Sequence, residues 1–249
     1  MDTGLQGAKV IITGATRGIG RAIAEAFIAE GAVIGFCARQ AAEVQSTAAA
    51  LKAEGRVVDV ADKAALAHFV TEMGQVLGGV DVLVCNASGF ADGTDEATFR
   101  TAFEVDMLHT VAACDAAMPF LERSAYGSII AISSISASED YRHGDVAYGA
   151  MKAAINFYIK SLSGHLAPKA IRANGVSPGT TYFEGGFWHQ VEVNQPESFA
   201  SALAHNPMGR MARPQEIADA CVFLASRQAS FITGINLVVD GGYTKRVQN

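Results

Sequence analysis

The stretch Lys9-Val10-Ile11-Ile12-Thr13-Gly14-Ala15-Thr16-Arg17-Gly18-Ile19-Gly20 decides the fold of this chain, together with the residues 21–31 that follow it. A short β-branched run, then glycines, then apolar residues at helical spacing (Ile19, Ile23, Phe27) reads as a strand, a turn and a helix over 21–30 closed by Gly31. This is the start of a parallel βα unit. Without side chains at Gly14, Gly18 and Gly20, the main chain can turn tightly, touch a ligand and let the helix meet the sheet. The first helical N–H groups are unpaired and sit at the positive end of the helix dipole, which suits a pyrophosphate. Gly14, Thr16, Arg17, Gly18, Ile19 and Gly20 are therefore the candidate phosphate cradle. The spacing Gly14-x-x-x-Gly18-x-Gly20 departs from G-x-G-x-x-G, so the turn alone leaves a plain strand-to-helix connection open.

Outward from this unit the rhythm repeats. Strands are predicted at 33–37, 56–60, 80–85, Ser128–Ile132, 171–176 and 235–239, with helices at 41–54, 62–77, 94–119, 146–167 and Pro214–Ala225. Thr94 is the expected cap of the long fourth helix, with Asp95 and Glu96 in its first turn. Strict alternation predicts an α/β fold, a doubly wound parallel sheet forming one domain over 1–249, with ligands beyond the carboxyl ends of the strands. Only 179–206 breaks the rhythm, with Gly185-Gly186, two prolines (Pro196, Pro207) and the aromatics Tyr182, Phe183, Phe187 and Trp188. It reads as an irregular excursion, either a substrate lid at about 179–207, with Tyr141 and His143 on the opposite rim, or a surface whose aromatics pack on a neighbouring subunit.

Bulk properties exclude several classes. A net charge of −6 with no Lys/Arg cluster gives a nucleic-acid or anionic-membrane partner no electrostatic basis. No basic leader precedes an apolar run and no apolar run reaches bilayer length, so a soluble cytoplasmic protein is expected. Cys37, Cys85, Cys114 and Cys221 are scattered and read as buried hydrophobes in a reducing compartment. None of the six histidines has metal-ligand spacing, and all are read as non-catalytic, with no metal expected.

Tyr148 and Lys152 lie four positions apart, on one helix face. An ammonium about 4 Å from the phenol oxygen favours the phenolate by roughly 4 kcal/mol at an effective dielectric near 20, about three pKa units. A general acid/base works best near neutrality, where that brings the phenol. Ser134, at the end of the preceding strand, can reach the same crevice and polarise a carbonyl oxygen, although Ser133 and Ser136 compete for the role.

Thr13-Gly14-x-x-x-Gly18-Ile19-Gly20, Cys85-Asn86-Ala87, Ser134, Tyr148-x-x-x-Lys152, Asn174-Gly175-Val176-Ser177-Pro178-Gly179 and Val239-Asp240-Gly241-Gly242 together resemble the short-chain dehydrogenase/reductase family, its 3-oxoacyl reductase type in particular. The resemblance implies a Rossmann fold binding a nicotinamide dinucleotide, with Tyr148 as acid/base and Lys152 on the ribose hydroxyls. It places Asn86 and Ala87 on the adenosine side, Asp59 and Val60 beside adenine, Pro178 and Gly179 at the nicotinamide, and implies a homodimer or homotetramer. Two departures stand out. Asp106 replaces the asparagine that completes the family's proton relay; it either holds the relay water or binds the Lys152 ammonium. Thr180-Thr181-Tyr182-Phe183 replaces the family's threonine-bearing segment, leaving Thr181 as the candidate for the carboxamide.

Charge argues the choice of dinucleotide. A carboxylate about 20 residues past the glycines takes a ribose 2′-OH, whereas arginine takes a 2′-phosphate. Here that place holds Ala38 and Arg39, with Arg17 in the turn. NADP(H) is favoured and NAD(H) remains open. The expected activity is interconversion of a ketone, or a 3-oxoacyl group, with its secondary alcohol. The alternatives are an NAD-dependent alcohol dehydrogenase and a non-catalytic dinucleotide-binding regulator.

Overall fold

The structure, a computed structural model, describes residues 2–91, 93–140 and 146–247. Tyr141 and His143 lie outside the described residues. In chain order the elements are β1 (Lys9–Thr13), α1 (Gly18–Ala29), β2 (Val33–Ala38), α2 (Ala41–Leu51), β3 (Glu54–Val57), α3 (Lys63–Val76), β4 (Val82–Cys85), α4 (Glu96–Ala102), α5 (His109–Leu121), β5 (Ser128–Ile132), α6 (Val146–Leu166), β6 (Arg172–Pro178), α7 (Phe187–Asn194), α8 (Pro196–Ala204), α9 (Pro214–Ala225) and β7 (Asn236–Val239). The strands form one parallel sheet in the order β3-β2-β1-β4-β5-β6-β7. This is a Rossmann-type, doubly wound sheet whose order reverses between β1 and β4, the place where a crevice opens.

Successive strand residues point to opposite faces, and both faces are apolar because helices cover both. Ile12, Val84 and Ile130 join Ile23, Phe27, Ile217 and Cys221 under α1 and α9, whereas Ile11, Leu83 and Ile129 join Leu66, Phe69, Ile155 and Ile159 under α3, α5 and α6. Arg172 is buried, and its guanidinium donates to the carbonyls of Leu224, Ala225 and Ser226, closing the end of α9.

Four expectations are corrected. The third strand is Glu54–Val57, not 56–60, because pairing to β2 ends at Ala38↔Val57; Asp59 and Val60 therefore sit in the following loop. Asp95, not Thr94, caps α4, its carboxylate accepting from the Ala97 and Thr98 amides. The long fourth helix is interrupted by a π turn over Phe103–Leu108. Residues 179–206 are not irregular: they hold α7 and α8. Both helices are short and neither buries a residue completely, so they escape a reading that looks for long elements facing the core.

Candidate active site

The crevice is built from the ends of β1, β4, β5 and β6. At the end of β1, Gly14 and Gly18 adopt positive φ, and a Cβ on Gly20 would fall 2.0 Å from the Gly14 carbonyl oxygen. Asn86 locks the turn: its side-chain amide donates to the carbonyls of Thr13 and Gly14. Thr13 Oγ1 accepts from the Asn86 and Ala87 amides. Thr16 donates to Glu43 of α2 at 2.8 Å, and Ile19 packs against the core. Arg17 is the extended N-cap of α1, and its side chain makes no capping hydrogen bond. The first amides of α1 are thus left for an anion, and the glycine turn fits the pyrophosphate of a dinucleotide. Phe183 lines this turn, its ring clasped between two glycines; a Cβ would meet its Cζ at 2.4 Å from Gly18 and 2.7 Å from Gly186.

At the next wall Tyr148 and Lys152 lie on the buried side of α6. Gly149 lets α6 approach the loop after β5, since a Cβ there would lie 2.7 Å from the Ser136 carbonyl oxygen. Ser134 Oγ accepts from the Ser136 amide, which leaves its proton to donate elsewhere. Ser133 is excluded as its rival, because its hydroxyl donates to the Lys152 carbonyl. The Lys152 ammonium lies 5.4 Å from the Tyr148 ring centroid and donates to the Ile132 carbonyl at 3.0 Å. It also lies 3.0 Å from Asp106 Oδ1, with both side chains almost wholly buried (2% and 0% exposed). That contact is ionic and lacks hydrogen-bond alignment. Asp106 thus touches the ammonium directly.

Sequence reasoning missed three residues here. His109 lies beneath Asp106, and its Nε2 is 2.8 Å from Thr13 Oγ1. That hydroxyl already accepts two amides, so its proton goes to Nε2 and the ring proton sits on Nδ1, on the side of the Val105 carbonyl one helical turn back. Burial, then the Lys152 charge, pushes the imidazole down to about 4. His109 is neutral in the folded chain but binds a proton when unfolded below its ordinary value near 6.5. Stability therefore falls as pH drops from about 6.5 to 4, by about 3 kcal/mol in all. Denaturant titrations across that window should show the loss, and His109→Gln should flatten it. Glu43 and Phe90 were missed as well, because their partners become neighbours only through the fold.

The remaining candidates fall as follows. Pro178 ends β6, and Gly179 must be glycine because a Cβ would lie 2.7 Å from Asp240. Thr181 donates to the Gly179 carbonyl and bridges Ala212, so its hydroxyl proton is engaged. Asp59 is exposed and caps its own turn through the Ala61 amide, while Val60 is buried in the core. Arg39 follows β2 and is exposed. Among the described residues no three His, Cys, Asp or Glu side chains could hold a metal ion, and no helix is long and apolar enough to cross a membrane. The four cysteines are free and buried, and burial pushes Cys37 up to about 12.

Comparison with known proteins agrees with this geometry. The family model described as enoyl-(acyl carrier protein) reductase matches residues 14–244. Isoepoxydon dehydrogenase of Penicillium expansum is 38% identical over 250 residues, 97% of this chain and 96% of that protein. A 7α-hydroxysteroid dehydrogenase solved with NADH and 7-oxo glycochenodeoxycholic acid superposes with a TM-score of 0.90 at 30% identity, over 97% of this chain and 96% of that one. L-sorbose reductase from Gluconobacter frateurii, solved with NADPH and L-sorbose, superposes with a TM-score of 0.91 at 30% identity, over 99% of this chain and all of the other. The chain belongs to the short-chain dehydrogenase/reductase family, oxidoreductases that act on alcohol and carbonyl groups with a nicotinamide dinucleotide.

Proposed function

We propose that the chain interconverts a ketone and its secondary alcohol with NADP(H), using Tyr148 as general acid/base. The observation that carries this reading is the buried ammonium of Lys152 beside the Tyr148 ring at the mouth of the nucleotide crevice. The nicotinamide, when bound, supplies or accepts the hydride. Tyr148 gives its hydroxyl proton to the carbonyl oxygen in reduction and takes it back in oxidation. Ser134 donates its remaining hydroxyl proton to the same oxygen and orients it. Lys152 holds the ribose hydroxyls and stabilises the phenolate, while Asp106 offsets part of its charge. Asn86, Ala87, Val60 and Asp59 flank the adenosine half; Pro178, Gly179 and Thr181 flank the nicotinamide. Residues 179–207 act as the substrate lid, and the whole chain is one oxidoreductase domain.

NADP(H) is favoured because Arg17 and Arg39 are exposed guanidiniums for which no ion pair is found among the described residues. A 2′-phosphate carries close to two negative charges and needs such partners. Arg39→Asp should lower NADPH affinity at least about tenfold, about 1.4 kcal/mol, and raise the preference for NADH. Unchanged preference in a direct titration refutes the assignment.

Oxidation of NADPH with a panel of ketones and 3-oxoacyl thioesters tests the activity itself. A dinucleotide-binding regulator is the second reading, favoured only by the Asp106 contact with Lys152; dinucleotide binding without turnover across the panel would establish it. We further assign the protein to the cytoplasm and to a homo-oligomer. Free buried cysteines support the first, and exposed Phe157 on α6 and Phe231 before β7 support the second. The mass in solution by light scattering decides the latter.

A further inference from the structure

We propose that Phe90 selects the substrate: its ring and that of Phe187 form a shelf beside the Tyr148 phenol that takes a flat cyclic ketone in preference to an open-chain 3-oxoacyl group. The inference rests on the reaction proposed above and names the class of ketone. Three non-glycine residues among those described have positive φ: Lys52, Phe90 and Ala170. Lys52 and Ala170 terminate helical turns, where the left-handed conformation closes the last carbonyls. Phe90 terminates none. At φ 46° it is a bulky residue in a region that bulky residues avoid, and such strain persists only where the surroundings impose it.

Two bonds impose it here. The Gly89 amide donates to Asp106 Oδ2 and the Phe90 amide to Ser88 Oγ. Asp106 thus links Lys152 to the loop that carries Phe90. The strained conformation does not serve the core, because the Phe90 ring stays 47% exposed. It places that ring 4.8 Å from the ring of Tyr148 and 4.9 Å from the ring of Phe187, tilted by 42° and 41°. Phe187 is itself 49% exposed and is braced edge-on by Trp188 at 5.3 Å. Half-exposed, inclined aromatic faces beside a proton donor suit a planar ring whose carbonyl oxygen points at the phenol. An open acyl chain offers no flat face, and fixing its rotatable bonds on the shelf costs entropy that a ring does not lose.

Phe90→Gly tests this, because glycine adopts the same φ without strain and removes only the ring. Relief of strain offsets the freer unfolded chain and the lost ring contacts, so the variant should melt within a few degrees of the parent. With NADPH in excess, the parent should have a higher kcat/KM for cyclohex-2-enone and α-tetralone than for an acetoacetyl thioester. Phe90→Gly should cut the cyclic values at least about tenfold, mainly through KM, while the thioester value moves less than about twofold. A parent that prefers the thioester, or a cyclic-to-thioester ratio unmoved by the substitution, overturns the shelf while leaving the oxidoreductase reading intact. If the parent turns over neither ketone nor thioester yet binds NADPH calorimetrically, the reaction reading fails and the shelf with it.

Discussion

Tyr148→Phe is expected to lower kcat by about a thousandfold while leaving dinucleotide binding and the fold in place, since positioned acid/base groups contribute roughly 10² to 10⁴. The substitution removes one oxygen and keeps the ring that meets Phe90 and lies beneath the Lys152 ammonium. Both of those contacts are made by the aromatic face, so the phenylalanine keeps them. What is lost is the proton that balances hydride transfer, and with it the step itself. A fall in kcat with KM nearly constant is the signature of a group used in the transition state. Stopped-flow measurement of NADPH oxidation separates this from slow release of product. If Tyr148→Phe retains more than about a tenth of the parent rate, another group moves the proton, and Ser134 is the next to test.

Lys152→Met is expected to be the most damaging single substitution for stability, at about 3 to 5 kcal/mol, because it strands the Asp106 carboxylate in the core. For a chain of this size that corresponds to a melting temperature lower by roughly 10 °C or more. The Ile132 carbonyl loses its donor at the same time. Replacing both charges, as Lys152→Met with Asp106→Leu, should recover most of the stability, since the pair's attraction is largely cancelled by the desolvation of its members. Activity should not return with it. Calorimetry on the single and double variants gives the coupling directly; equal melting temperatures for the two would show that the ion pair is not what the core depends on.

The fold was legible wherever one period governs a whole element. Residues 9–31 show it plainly: four consecutive β-branched residues, a glycine turn and a helical repeat leave one arrangement. The third strand was misplaced because Val57, Val58 and Val60 are equally good strand formers, and only the partner strand decides where pairing stops. Helices α7 and α8 escaped the reading because they are short, follow glycines and prolines, and bury no residue fully. At the candidate site, the glycines, Asn86, Ser134 and the Tyr148–Lys152 pair could be placed because fixed offsets and strand ends place them. Asp106 could be named only through the family resemblance, with its contact to Lys152 left as one of two readings. The His109 ring and the Phe90 ring could not be placed, because they meet Thr13 and Tyr148 across 96 and 58 residues, and Phe90 does so with a backbone angle that no propensity favours.

The π turn over Phe103–Leu108 makes the number of residues, and not only their identity, a functional variable in this helix. It accommodates one residue more than an α turn, and its Asp106 carbonyl accepts from the Thr110 hydroxyl. Each residue of an α-helix advances the side chains by about 100°. Deleting a single residue between 103 and 105 would let the helix close to the regular repeat, and everything upstream, α4 included, would rotate by that angle against the body. A length variant in this short window should therefore disturb the enzyme more than most exchanges of one side chain for another, and a relative lacking the extra residue would have to hold its loop before α4 in some other way.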